Sequence, residues 1–178
     1  QRADRRGAAG GGRVWGLGWG WAARPMLRHK SLHPLSHQHH NGLALGVLAR
    51  RALAQDPSPA AAARQSQRVL ERFGLEIRNH FALEEELLFP AIEAALGPHE
   101  LVRALLAEHR EIERRAARLR ETPEDAGALT AFLDLLRDHI RREENELFEE
   151  AQARLDPAEL DRLGAEFEAR AVRVCLEP

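Results

Sequence analysis

The chain has 178 residues, a length that suits one domain with tails at its ends. Its formal net charge is −2 and its acidic and basic side chains are interspersed, so we expect neither a nucleic-acid partner nor a membrane surface. The single cysteine, Cys175, excludes an internal disulfide and a metal site built from several cysteines, and it favours a reducing, cytoplasmic compartment.

The first 25 residues differ from the rest of the chain. They hold all three tryptophans and seven of the thirteen glycines, without a helical period. We therefore expect residues 1–25 to be a disordered extension ahead of a natural start near Met26. A tail that docks its tryptophans on a partner is the alternative. Residues 26–155 then form the main domain, and residues 156–178 form a C-terminal helix and tail.

Turn signals divide the rest of the chain into five predicted helices. Their ranges are Ser36 to about Gln55, about Ala60 to Leu96, Pro98 to Arg120, about Pro123 to Arg154, and Pro157 to about Val172. Pro90 lies inside the second helix, so we expect a kink or a break near Leu88. Four long helices with short connections predict an all-α, up-down-up-down four-helix bundle with a short extra C-terminal helix.

A ten-residue pattern, His-x-x-x-Glu-Glu-x-x-Leu-Phe, occurs twice. The two copies span residues 80–89 and 139–148. Positions four apart on a helix stand one above the other, so His80 lies over Glu84 and His139 lies over Glu143. The Leu-Phe pair that follows indicates that this face looks inward. A buried imidazole and carboxylate are costly unless something compensates them, and a metal ion would do so.

The helix before each motif offers a lone inward histidine, His40 or His109, with an aliphatic residue three positions later. His37 and His39 share the turn of His40, and either could replace it. We prefer His40 because it alone has an aliphatic residue, Leu43, at plus three. Four histidines and two carboxylates from four helices then form a pseudo-two-fold cage that suits two metal ions bridged by two carboxylates.

Together these segments resemble the hemerythrin-like (HHE cation-binding) family over about residues 33 to 150. The matching segments are Leu35-Ser36-His37-Gln38-His39-His40, His80-Phe81-x-x-Glu84-Glu85, Glu108-His109-x-x-Ile112 and His139-x-x-x-Glu143-Glu144. The resemblance implies a non-haem di-iron site in a four-helix bundle. It implies terminal iron ligands and bridging carboxylates at these positions: His40, His80, His109 and His139 as ligands, Glu84 and Glu143 as bridges.

The chain departs from the oxygen-carrying hemerythrins that it resembles at Glu113. Those proteins place a second histidine there, four residues after the ligand of the third helix. The match is closer to the four-His, two-Glu pattern of hemerythrin-like sensors and of bacterial iron-sulfur cluster repair proteins, which argues against simple oxygen carriage. Each of the two irons takes about six donors, so water, oxo or hydroxo must complete them and leave positions for a diatomic molecule. Zinc or manganese would suit the same donors.

These observations favour a binding or sensing protein over an enzyme. In the first hypothesis, the two iron ions bind oxygen or nitric oxide or report iron status. The alternative is enzyme-like iron chemistry, such as iron-sulfur cluster repair or turnover of peroxide or nitric oxide. Repair is disfavoured because the sequence shows no N-terminal domain with paired cysteines. A metal-free structural bundle is disfavoured because it would leave six buried polar groups without partners.

The second glutamate of each motif, Glu85 or Glu144, lies roughly 100° further round its helix. We expect it to be solvated or to orient a ligand histidine. The sequence therefore predicts that Glu143→Gln lowers metal content sharply and that Glu144→Gln is nearly silent. The opposite result would make Glu144 the bridge.

Overall fold

A computed structural model describes residues 27–173, and this part of the chain contains helices and turns but no strand. The predicted all-α class is confirmed. Within the same residues, no helix combines the length and the apolar character needed to cross a bilayer. The predicted extension at residues 1–25 and Cys175 lie outside the described residues, and the domain boundaries stay a prediction.

A 3₁₀ turn at Lys30–Leu32 precedes five long helices in the described residues. They are α1 (His33–Gln55), α2 (59–96), α3 (Glu100–Glu121), α4 (126–154) and α5 (Pro157–Arg170). Side-chain caps set three of the starts. Ser58 accepts from the N–H of Ala61, Asp125 from the N–H of Ala128, and Asp156 from the N–H of Ala158. The predicted cap Ser36 lies inside α1, which begins three residues earlier and has a proline in its first turn.

Both motif helices are continuous but contain π turns, which insert one extra residue. The segments are Phe73–Ile77 and Glu84–Leu88 in α2, and Glu143–Leu147 in α4. The irregularity expected near Leu88 is therefore a π turn and not a break. Pro90 is not its general cause, since α4 makes the same turn without a nearby proline. Each Leu-Phe pair lies where its π turn ends, and all four of these residues are buried.

Two apolar clusters pack on either side of a layer of ionisable side chains. The first cluster includes Leu35, Leu88, Leu105, Phe148 and Phe167. The second includes Leu45, Phe73, Ile112 and Phe132. The chain passes from the first cluster to the second along α1 and α3, and from the second to the first along α2 and α4. This alternation puts the middle of all four helices at one level, where the ionisable layer lies.

Candidate metal centre

Six ionisable side chains from four helices meet between the two apolar clusters. They are His39 on α1, His80 and Glu84 on α2, His109 on α3, and His139 and Glu143 on α4. Each is at most 2% exposed. They divide into two groups that share both carboxylates, and the donor atoms of each group lie within 4.8 Å of one another. We call His39 with His80 the first half-site, and His109 with His139 the second half-site.

Five of these six residues are the predicted ones, and the sixth is a correction. His40 is exposed, so the prediction that it faces inward is wrong. His39 takes its place: its Nε2 lies 2.8 Å from Nε2 of His80 and 3.0 Å from Oε2 of Glu143. The alternative left open at this turn is the one that the structure brings to the cluster.

Gly42 explains why the leucine at plus three pointed to the wrong histidine. The inward residue three positions after His39 is this glycine, where α1 approaches α2 and α4. A Cβ on Gly42 would lie only 3.3 Å from the Cδ1 atoms of Ile77 and Ile140. The signal that could have found His39 is the run of small residues that continues its stripe, which includes Gly42 and the buried Ala49.

Helical hydrogen bonds keep each motif histidine in register with its glutamate. The N–H of Glu84 donates to the carbonyl of His80, and the N–H of Glu143 donates to the carbonyl of His139. The π turns begin only after these bonds are made, so the four-residue spacing holds. It brings Glu143, and not the neighbouring Glu144, into the cluster.

The two carboxylates are shared between the half-sites. Glu143 turns Oε1 toward Nε2 of His139, at 2.9 Å, and Oε2 toward Nε2 of His39, at 3.0 Å. Glu84 places Oε2 at 3.3 Å from the Nε2 atoms of both His80 and His109. Carboxylates placed in this way are suited to bridge two cations.

An oxygen from another helix holds each imidazole through Nδ1. These contacts are Glu144 Oε1 to His39 at 2.7 Å, Gln38 Oε1 to His80 at 3.2 Å, Glu85 Oε1 to His109 at 2.7 Å, and Glu108 Oε2 to His139 at 2.9 Å. Because these oxygens accept, each Nδ1 carries a proton, and each Nε2 faces the centre, where it can bind a further proton or a metal ion. Metal-bound histidines in proteins are oriented by the same kind of outer contact.

The centre contains buried donor atoms that the protein itself does not satisfy. Both oxygens of Glu84 and of Glu143, and Nε2 of His109 and His139, have no hydrogen-bond partner among the described residues. In the first half-site, two Nε2 lone pairs face each other across 2.8 Å. Such an arrangement requires cations between the donors, either protons or metal ions. Imidazole and carboxylate donors fit iron, and also zinc or manganese.

The comparison with family models agrees with this geometry. The model of the hemerythrin HHE cation binding domain matches residues 32–151, a span that contains all six side chains. The chain belongs to the hemerythrin HHE cation-binding family. No curated protein and no solved structure matches the chain.

Glu113 stays outside this hemerythrin-family centre. It makes a two-pronged ion pair with Arg78 across the surface between α2 and α3, at 2.8 and 2.7 Å. The position at which oxygen-carrying hemerythrins are expected to have a further histidine therefore adds no donor here. The same ion pair lines a surface groove of about 600 Å³ that reaches His109.

Glu144 orients His39 in this hemerythrin-family site, which is one of its two predicted roles. Its Oε1 accepts from the hydroxyl of Ser36 at 2.7 Å as well as from His39, and its Oε2 accepts from Arg28 at 2.9 Å. Burial raises the pKa of Glu144, but the donors His39, Ser36 and Arg28 outweigh burial and lower that pKa to about 2. An ionised, partly buried carboxylate with these partners helps to hold His39 in place. These contacts favour a measurable effect of Glu144→Gln over the nearly silent one that the sequence predicts.

The two buried carboxylates draw positive charge into the hemerythrin-family centre. Burial lowers the pKa of His80, but Glu84 and Glu143 outweigh it and raise that pKa to about 9. The same balance raises the pKa of His109 to about 10. Burial raises the pKa of Glu143, yet the surrounding imidazoles bring it well below its ordinary value. The carboxylates are thus ionised, and without metal His80 and His109 take up protons in its place.

Phenylalanine rings wall the centre off from water. Phe81 stacks on His109 with ring centroids 3.7 Å apart, and Phe148 stacks on His39 at 5.2 Å. Phe89 lies on a third side, 5.7 Å from His109. A dry, apolar wall strengthens the attraction between the carboxylates and any cation among them.

Proposed function

We propose that this chain is a non-haem di-iron protein that binds a diatomic ligand, oxygen or nitric oxide, or reports iron status. One ion is held by the first half-site and the other by the second, with Glu84 and Glu143 as bridges. Helices α1 to α4 form the up-down-up-down bundle, and α5 is the extra C-terminal helix. The alternating order of the two apolar clusters along successive helices supports this topology.

The observation that carries the proposal is the convergence of four Nε2 lone pairs on two shared, buried carboxylates. Each ion receives four protein donors, two from imidazoles and one from each carboxylate. Iron takes about six donors, so water, oxo or hydroxo completes each ion. Iron at this site supplies a redox-active centre with exchangeable positions for a small molecule. The protein residues hold the donors in place and keep bulk water out.

The surroundings favour a small, uncharged ligand. The groove beside Glu85 and His109 is one approach to the centre from the surface. We propose no nucleic-acid or membrane partner, because acidic and basic side chains are interspersed and nearly balanced. We propose a cytoplasmic location because the single cysteine suits a reducing compartment.

Anaerobic loading with Fe²⁺ tests the proposal. We expect about two irons per chain by metal analysis. We also expect the ultraviolet-visible spectrum of the reduced protein to change on exposure to air or to nitric oxide. One metal ion per chain would contradict the two-iron site. A spectrum that neither gas alters would contradict binding of a diatomic ligand and favour a role in reporting iron status. Many turnovers of peroxide or nitric oxide would identify the enzyme-like alternative instead.

Adjacent histidines on α1 supply a matched pair of variants. His39→Ala removes a buried donor, so we expect it to lower the iron content to about one ion or fewer per chain. His40→Ala removes an exposed side chain and should leave the iron content unchanged. The reverse outcome would restore His40 as the ligand and contradict a register of α1 that turns His39 inward.

A further inference from the structure

We infer that the two half-sites differ in affinity, and that Gln38 makes the first half-site the weaker, so that the second half-site fills first. This inference rests on the proposed two-metal site. It concerns the residues behind the donors, which differ between the half-sites although the donors themselves do not.

Gln38 breaks an otherwise regular pattern of outer contacts. The residue before each lone histidine holds the motif histidine of the next helix: Gln38 holds His80, and Glu108 holds His139. The residue after each bridging glutamate holds the remaining histidine, Glu85 holding His109 and Glu144 holding His39. Three of these four contacts are made by carboxylates, and the fourth is made by the amide of Gln38.

The amide is the weaker support for a metal-bound imidazole. A carboxylate behind Nδ1 makes Nε2 more basic, and loss of such a partner typically costs about 10- to 100-fold in metal affinity. The contact from Gln38 to His80 is also the longest of the four, at 3.2 Å, whereas His139 lies 2.9 Å from Glu108. His80 is therefore the least activated donor of the four.

Net charge behind the donors points the same way. Arg28 pairs with Glu144 at 2.9 Å, and Arg142 pairs with Glu108 at 2.6 Å, so each half-site has one partly neutralised carboxylate. Behind the second half-site stands a further carboxylate, Glu85, and no arginine or lysine pairs with it among residues 27–173. The second half-site thus keeps an extra negative charge that attracts a cation.

The orientation of the Gln38 amide is fixed by its other contacts. Its Nε2 donates to Oδ1 of Asn79 at 3.0 Å and to the carbonyl oxygen of Val172 at 3.1 Å. A carbonyl only accepts, so the amide nitrogen must face Val172 and the amide oxygen must face His80. A carboxylate at position 38 would meet two acceptors there. The contact with the segment after α5 therefore favours an amide at position 38. The amide in turn gives His80 a weaker hydrogen-bond partner than a carboxylate would.

Titration with Co²⁺ of the metal-free protein tests the inference. We expect wild-type protein to bind two ions in separate steps, with dissociation constants that differ by about 10- to 100-fold. His80→Gln removes a donor from the first half-site and should keep one ion with the tighter constant. His139→Gln removes a donor from the second half-site and should keep one ion with the weaker constant. The visible cobalt bands follow the filling of each step.

Glu108→Gln gives the second half-site the same amide support that Gln38 gives the first. In the His80→Gln background, we expect Glu108→Gln to weaken the remaining ion by about 10- to 100-fold. Glu108→Asp should restore part of that loss. Glu111→Gln, on the same helix but paired only with surface arginines, should have no effect. Circular dichroism checks that each variant keeps the helical signal of the wild-type protein.

The outcomes separate this inference from the proposed function. A wild-type protein that binds one Co²⁺ per chain overturns the two-metal site itself. Two ions that bind with one shared constant, or a Glu108→Gln variant that binds its ion as tightly as before, overturn only the inequivalence. A tighter ion in His139→Gln than in His80→Gln would reverse the order of filling and also overturn it.

Discussion

Glu143 presents one oxygen to each half-site, so replacing its carboxylate with an amide should affect both. Glu143→Gln keeps the shape of the side chain but removes the charge and one oxygen donor. We predict a sharp fall in iron content with an unchanged helical signal. The thermal stability of the metal-free variant should stay the same or rise, because a buried carboxylate costs more than a buried amide. Metal analysis, circular dichroism and thermal melting measure the three quantities.

Glu146→Gln is the matched control for this prediction. Glu146 lies on the same helix, within one turn of Glu143, and is exposed. Its replacement should change neither metal content nor stability by more than about 0.5 kcal/mol. Equal metal content in both variants would show that Glu143 has only a structural role.

Glu144→Gln should have an intermediate effect. An amide at this position can still accept from one neighbour, but His39, Ser36 and Arg28 all donate to the carboxylate. We predict a loss of about 10- to 100-fold in metal affinity with full stoichiometry at saturating metal. Competition with a chelator of known affinity measures it. Unchanged affinity would return Glu144 to the nearly silent role that the sequence alone predicts.

At the scale of helices, the apolar period of the sequence indicates the buried side of α2, α3 and α4, but not that of α1. Apolar residues spaced by threes and fours along α2, α3 and α4 are buried, including Phe73, Leu105 and Leu136. In α1 the period is harder to follow, because Val47 and Leu48 are exposed and the inward stripe runs through Gln38, Asn41 and Gly42. Polar and small residues mark that face, so hydrophobicity alone misplaced the histidine by one position.

The π turns could not be predicted from the period, which assumes a constant number of residues per turn. Glu84–Leu88 and Glu143–Leu147 each insert one residue directly after a bridging carboxylate. The Leu-Phe pair of each motif is visible in the sequence, but it shows only that two consecutive residues are apolar. That both are buried follows from the structure.

At Gly164, α5 packs closely against the 3₁₀ turn that precedes α1. A Cβ at this position would lie 2.8 Å from the Cα of Ser31, so backbone would have to move. We predict that Gly164→Ala lowers the free energy of unfolding by about 1–3 kcal/mol, an overpacking cost. Gly74→Ala, with no atom within 4 Å of the new Cβ, should instead raise it by about 0.5–1 kcal/mol. Urea denaturation of the two variants measures both, and equal shifts would contradict the close contact.

Across the whole molecule, the sequence located the side chains that meet at the centre better than the residues that hold them in place. His80, Glu84, His139 and Glu143 follow from spacing within one helix. The outer contacts join residues that lie far apart, 105 positions for His39 with Glu144 and 42 for His80 with Gln38. A helical period carries no information on such pairs, because they depend on how the helices are arranged. The inequivalence of the half-sites could therefore not be inferred before the fold.

Protons and metal ions compete for the same lone pairs, which links the stability of the whole molecule to pH. The pKa values of His80 and His109, about 9 and about 10, lie above the ordinary value of about 6.5 for an unfolded chain. A raised pKa in the folded state stabilises the metal-free protein fully below pH of about 6.5, and this contribution is lost as the pH rises through 9 to 10. Metal binding has the opposite dependence, because a cation must displace these protons.

We therefore predict that the melting temperature of the metal-free protein falls between pH 6.5 and pH 10, while that of the Co²⁺-bound protein falls less. The gap between the two melting temperatures should widen with pH. At pH 7, both His80 and His109 are protonated without metal, so binding should release at least two protons per chain, measurable in weakly buffered solution. A gap that narrows with rising pH, or binding without proton release, would show that the imidazoles are already neutral in the metal-free protein.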